Sequence, residues 1–299
     1  MSFLNPVSLP VKRFSSTDAD APQINYNART AGDVKAVLKA CLVDGYGTTA
    51  SAGWSIVNEV DNVCEFVSPS AAMSDYRFGI DDGSASSTIW NYHYQNTSKS
   101  INKNNVSKPM GFIDKSNAQN GWQMLVTDRG FAFIEFAYYP LVSDITARVT
   151  YFTTAKSARV DSDGDKMMFM SAGHSAPLYR VYQLFDSRNP YCALEPTGQN
   201  VQLLGATINV KGNLNAMGAT VSLATGLYIA SNDSRTFLGA MPGILYVTPG
   251  SESDVYGIKD VDRDGVSYTQ IPLGVESSST TDAYRYAAVL LIRTDVWGY

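Results

Sequence analysis

A chain of 299 residues is long enough to bury a sizeable core, as one large β domain or two ordinary ones. Its 23 Lys and Arg against 28 Asp and Glu leave a formal charge of −5, so no global cationic field is at hand to neutralise phosphates, and nucleic acid is not an expected partner. Charged residues make up only 17% of the chain, below the roughly 25% of an average globular protein; Ser, Thr, Asn, Gly and Tyr are abundant instead, which suits a β protein that packs against copies of itself or another partner.

The opening MSFLNPVSLPVKRF lacks the basic region and continuous apolar run of a secretory signal. Residues 1–20, with Pro6, Pro10 and the polar cluster SSTDAD, show neither helical nor strand period and read as an extended N-terminal arm. The remaining 21–299 reads as a β-rich body, with a possible division near 155–175.

One helix stands out. In TAGDVKAVLKACLVDGYG, Val34, Val37, Leu38, Cys41 and Leu42 follow the i, i+3, i+4, i+7, i+8 spacing of a single apolar stripe. Thr30 and Asp33 have the spacing of a capping pair, and Gly45 sits where a left-handed C-terminal cap is expected. A helix this short is marginal alone, so its stripe must pack on the β-rich remainder.

Strands then dominate. GWSIVNEVDNVCEFVSP predicts two short strands with a turn at Glu59 to Asn62, and DYRFGIDDGS alternates toward an Asp-Asp-Gly turn. Residues 91–121, polar and rich in Asn, Lys and Ser, are expected to form a long surface loop. WQMLVTDRGFAFIEFAYY predicts a central hairpin turning at Thr127 to Gly130, and DITARVTYF a further strand. LYRVYQLF, VQLLGATINV, ATVSLATGLYIAS, GILYVTP and YRYAAVLLIRTDVWGY continue in the same idiom, with turns such as Asn232-Asp233-Ser234 and Asp264-Gly265 between them. The greasiest segment, RYAAVLLIRT, has the length of a buried strand rather than the roughly 18 apolar residues of a membrane helix, so no membrane partner is expected. The expected fold is mainly β, with antiparallel sandwich or barrel-like sheets and one principal amphipathic helix near the N-terminus.

Chemistry-bearing motifs are sparse. Asp161, Asp163 and Asp165 in DSDGD, and Asp260, Asp262 and Asp264 in DVDRDG, place alternate carboxylates as a calcium loop would. The second begins like an EF-hand but has Ile271 where the bidentate Glu belongs; acidic hairpin tips are the alternative. His93 and His174, with Cys192 and nearby aspartates, stand in no metal or nucleophile spacing, so no catalytic residue and no cofactor are expected. Cys41, Cys64 and Cys192 are odd in number and widely spaced, pointing to reduced thiols in a cytosolic setting. Most of the 18 Tyr, 12 Phe and 4 Trp fit strands and core volume; Phe3, Leu4, Phe14, Tyr92, Tyr94, Trp297 and Tyr299 are the expected subunit contacts.

Five segments, in order and spacing, resemble a family of tailed-bacteriophage virion structural proteins of unassigned detailed role: VKRFSSTDADAPQ running into TAGDVKAVLKACLVDGYG, then SDYRFGIDDGS, the FIDKSNAQNGWQMLVTDRGFAFIEF hairpin, and FLGAMPGILYVTP, whose Met-Pro-Gly-Ile turn is similar to the family's Leu-Pro-Gly-Leu. The chain departs from that pattern in its extra arm, residues 1–10, and in lacking a long Gly-Val-rich hairpin insertion after the helix. The resemblance implies a structural role in the virion, assembled in the bacterial cytoplasm, with copies of itself and other virion proteins as partners and no catalytic residues. Two other functions compete with it: a host-surface module whose Tyr- and Asn-rich loops bind glycan, and a hydrolase using His93 or His174 with a carboxylate.

Overall fold

The computed structural model describes residues 7–24, 30–74, 76–83, 91–96, 118–139, 144–154, 156–157, 168–172, 191–194, 197–204, 223–231, 237–248, 258–274 and 286–299. β1 (Ser8–Pro10) and β2 (Lys12–Ser15) precede α1 (Asp33–Lys39), which continues into a π-helical turn, Ala40–Asp44. β3 (Ser55–Val60), β4 (Val63–Val67), β5 (Tyr76–Asp81) and β6 (Asn91–Asn96) follow. The rest of the described chain is strand: β7 (Ala118–Thr127), β8 (Gly130–Tyr139), β9 (Asp144–Thr154), β10 (Lys156–Ser157), β11 (Met168–Ala172), β12 (Tyr191–Leu194), β13 (Thr197–Leu204), β14 (Leu223–Ser231), β15 (Phe237–Thr248), β16 (Lys259–Arg263), β17 (Val266–Gly274), β18 (Tyr286–Arg293) and β19 (Val296–Gly298).

The protein is therefore mainly β, with antiparallel sheets and one principal helix near the N-terminus. β3-β4-β5-β6 make a four-stranded sheet, β1 pairs with β19, and the remainder forms a 13-stranded sheet running from β16 at one end to β2 at the other. Among the described residues that sheet does not close as a barrel by main-chain pairing. Side chains bridge its two ends instead: Arg13 of β2 meets Asp260 of β16 at 2.5 Å, and Gln123 of β7 meets Thr269 of β17 at 3.2 Å. The ladder continues from β9 into β11 across part of the 155–175 segment.

The β7-β8-β9 meander positions everything else, because both of its faces are buried. Alternation sends Trp122, Met124, Val126, Phe131, Phe133 and Phe152 to one face, and the register sets Met124 opposite Phe133, Val126 opposite Phe131 and Phe131 opposite Phe152. On this face lie the helix stripe and the four-stranded sheet: Val34, Val37, Leu38, Cys41 and Leu42 are buried in the same cluster, with Trp54, Cys64, Phe66 and Phe78. Each such Val or Leu contributes about 1.5–3 kcal/mol relative to remaining exposed. Phe78 packs edge-on to Phe131 at 4.9 Å and lies 5.4 Å from Phe152. The opposite face, carrying Gln123, Ala132, Ile134, Val149, Tyr151 and Thr153, is buried as well; from it Tyr151 donates to the Pro242 carbonyl of β15, and Thr153 hydrogen-bonds Tyr299.

The helix is closed differently from its local signals. Asp33 accepts from the Thr30 N–H at 2.8 Å, but the pair does not cap the helix, which starts at Asp33 with Gly32 at its N-cap. The first helical N–H groups are taken by Asp82, whose carboxylate accepts from Val34 at 2.9 Å and Lys35 at 3.2 Å. Gly45 has φ 79° but ψ 177°, so the expected left-handed cap is replaced by an extended exit from the π turn. Glycine is still required there, since a Cβ would lie 2.6 Å from the Thr49 carbonyl oxygen.

The loop expected over 91–121 is corrected at both ends. Asn91–Asn96 is an edge strand paired along its length with β5, and β7 begins at Ala118. An edge strand needs main-chain partners on one side only, so its polar composition is no bar to pairing. The Asp-Asp-Gly turn is likewise not a free tip, because Asp82 is buried under the helix.

Candidate subunit-contact surface

β3 ends the four-stranded sheet, and β4 is its one strand partner among the described residues. The strand is SIVNEV, and its register slips between Ile56 and Asn58, leaving Val57 as a bulge. Ile56 and Glu59 oppose Phe66 and Cys64, on the helix side; Asn58 and Val60 oppose Glu65 and Val63, on the other. Val57 is 47% exposed and Val60 60% exposed. Among the described residues the only other large apolar side chain so exposed is Val7, at 44%.

The helix-side margin of this edge is charged, two lysines sharing one carboxylate. Lys35 Nζ lies 2.9 Å from one Glu59 carboxylate oxygen and Lys39 Nζ 3.0 Å from the other. Hydrogen bonds from Lys35 and then Lys39 hold the Glu59 carboxyl below the usual carboxylate range, and Glu59 raises Lys39 in return. Lys35 also donates to the Asp61 carbonyl. Such surface pairs contribute little to stability, and with two ammonium groups to one carboxylate the margin keeps a net positive charge beside the exposed valines.

A second feature joins the ends of the described chain. The Val7 N–H donates to the Tyr299 carbonyl at 3.2 Å, the Tyr299 N–H donates back at 2.8 Å, and the Val11 N–H donates to the Asp295 carbonyl at 2.9 Å. Between them Ser8, Leu9 and Pro10 pair with Gly298, Trp297 and Val296.

The expected contact residues divide accordingly. Phe3 and Leu4 lie outside the described residues. Tyr92 and Tyr94 fall on β6, the other edge of the four-stranded sheet. Phe14, Trp297 and Tyr299 are corrected: all three are buried within this chain. Phe14 joins the main core and packs 6.1 Å from Tyr46. Trp297 donates from Nε1 to the Arg293 carbonyl at 2.8 Å and lies 5.5 Å from the Tyr151 ring. The Tyr299 hydroxyl meets Thr127 Oγ1 at 2.8 Å and Thr153 Oγ1 at 3.1 Å, with the Arg129 guanidinium 5.3 Å from its ring centre. From Ser8 to Ser15 the expected arm is laddered onto β19 and β7 of its own chain. The sequence pattern placed β3 and its turn but did not mark the strand as an edge with Val57 and Val60 exposed.

Asp161, Asp163 and Asp165 lie outside the described residues. Asp260 and Asp262 belong to a strand, and Asp264-Gly265 form its two-residue hairpin turn with φ 54° and 75°. Asp260 is engaged by Arg13 and by Thr269, and Asp262 accepts from the Gly265 N–H at 3.0 Å. Among the described residues no group of three or more His, Cys, Asp or Glu converges as metal ligands. Cys41 and Cys64 are free thiols in the core; burial raises Cys41, and burial followed by the negative charge of Glu59 pushes Cys64 up to about 11. His93 and Cys192 lie on strands whose side chains are not described, and His174 lies outside the described residues. Among the described residues no helix is long and apolar enough to cross a membrane. No family model, no curated protein and no solved structure matches the chain.

Proposed function

We propose that this chain is a structural component of a tailed-phage virion, a tail, neck or capsid-surface protein held in place through repeated contacts with copies of itself and with other virion proteins, and assembled in the host cytoplasm. The observation that carries the reading is the β3 edge, where two of the three most exposed large apolar side chains of the described residues, Val57 and Val60, sit on a strand with a single strand partner among those residues. Although the Lys35–Glu59–Lys39 cluster and the bulge at Val57 mark this edge, its two exposed valines offer apolar surface suited to a neighbour. The resemblance of five ordered segments to virion proteins supports the same role. The mechanism is geometric: a rigid β body offers sheet edges, and repetition in the particle turns weak single contacts into stable ones.

The test replaces Val57 and Val60 together by lysine. Surface changes of this kind cost within about 0.5 kcal/mol, so the variant should fold with unchanged circular dichroism. It should be depleted from purified particles relative to wild type supplied in the same cells. Equal incorporation would remove β3 as the contact surface.

A further inference from the structure

The β1–β19 pairing is unequal in how its two strands are held. On the β19 side, Trp297 is buried beside Tyr151, and Gly243 allows that approach, since a Cβ there would lie 2.3 Å from the indole. Tyr299 is buried and bonded to Thr127 and Thr153. The acceptor strand is thus anchored in the core by its own side chains. On the β1 side, Val7, Ser8 and Pro10 are exposed, Leu9 and Val11 are half-buried, and Phe14 is the first side chain of the described segment to enter the core. β1 is therefore held chiefly by main-chain hydrogen bonds, those of Val7 and Val11 and the ladder between them. The adjoining β2 has its own anchors in Phe14, in Lys12 donating to the Ser51 carbonyl at 2.7 Å, and in the Arg13–Asp260 pair. Val11 alone links the loosely held strand to the anchored one.

Main-chain hydrogen bonds carry no memory of which copy supplies the strand. We propose that β19 is a strand-acceptor edge that takes the Val7–Val11 segment of a second copy of this chain in the assembled state. The bonds made in trans replace the same bonds made in cis, so the exchange costs little and high local concentration in an assembly favours it. Five residues pivoting at Lys12 reach about 17 Å at 3.3–3.6 Å per residue, so only an adjacent copy is served. The inference rests on the proposed role of repeated subunit contacts and names one such contact.

The mutual hydrogen bonds of Val7 with Tyr299 make Ser8 and Gly298 the next, non-hydrogen-bonded pair, with Cα atoms about 4.5 Å apart, within disulfide range. Ser8 is exposed, and a side chain at Gly298 meets open space. One chain carrying Ser8→Cys and another, of different tagged mass, carrying Gly298→Cys are co-expressed, and purified particles are oxidised. Peptide mass spectrometry should find an 8–298 disulfide joining the two different chains, while dilute monomer of the double variant should link within itself. Particles that contain both chains yet give no mixed link, with the double variant linking only internally or not at all, would overturn the exchange and leave the structural role standing. Particles lacking both the variants and the wild-type chain would overturn that role and the exchange with it.

Discussion

Asp82 caps Val34 from 48 positions away in the chain, accepting its N–H at 2.9 Å from a fully buried carboxylate. The same oxygen accepts from Lys35, and the Asp82 main chain bonds Asn62 and Gly32. The helix N-terminus is thereby fastened to the end of β5, which ties the apolar stripe to the four-stranded sheet. Asp82→Ala leaves two N–H groups at the helix start without acceptors, at an expected cost of about 1–3 kcal/mol. Asp33→Ala, which breaks only the exposed pair with Thr30, should cost under about 1 kcal/mol. Urea denaturation of both variants measures the difference, and an equal or reversed order would contradict the long-range cap.

Gly243 and Gly265 have similar backbones, φ 69° and 75°, but different surroundings. A Cβ at Gly243 would lie 2.3 Å from Trp297, whereas Gly265 faces open space. Both alanine variants bear the left-handed penalty of about 1 kcal/mol. Gly243→Ala must also displace a buried indole, adding about 1–3 kcal/mol. Thermal melting should therefore fall clearly further for Gly243→Ala than for Gly265→Ala. Similar melting temperatures would mean that Trp297 is not seated as described.

Alkaline pH should weaken the fold through groups buried in their neutral form. Burial pushes the Tyr299 hydroxyl from its ordinary 10.0 up to about 12, and the Cys64 thiol from 9.0 up to about 11. Between those values the folded chain holds protons that the unfolded chain has released, so unfolding is favoured as pH rises. Their contribution is complete below about pH 9 and is lost progressively toward pH 12, at about 1.4 kcal/mol per pH unit for each group within its own window. Urea midpoints at pH 8, 10 and 11 should fall in that order, with a shallower fall above pH 10 in Tyr299→Phe than in wild type. A flat profile would contradict burial of these side chains.

Local pattern was enough to read the helix stripe, the 122–139 hairpin and the strand-rich body, because each rests on spacing within ten or so residues. The stripe from Val34 to Leu42 is buried at every position, and the hairpin turns between Thr127 and Gly130. What was not legible depends on distant chain. Asp82 looked like part of a turn because nothing local marks it as a helix cap. Phe14, Trp297 and Tyr299 looked like spare aromatics near the ends; the β2–β7 pairing carries Phe14 into the core, and β19 carries Trp297 and Tyr299 there. β6 looked like loop because Asn91, His93 and Gln95 hide a period of two, which Tyr92 and Tyr94 nevertheless keep. The proposed contact surface lies at the β3 edge because Phe14, Trp297 and Tyr299 are buried within the chain.

The central claim is tested most directly by counting the chain in purified particles. Quantitative mass spectrometry of density-banded virions, with isotope-labelled peptides of this chain as standards, should give a fixed number of copies per genome, a multiple of three, five or six as cyclic particle symmetries require. Absence from the banded particles, or trace amounts that vary between preparations, would contradict the structural role.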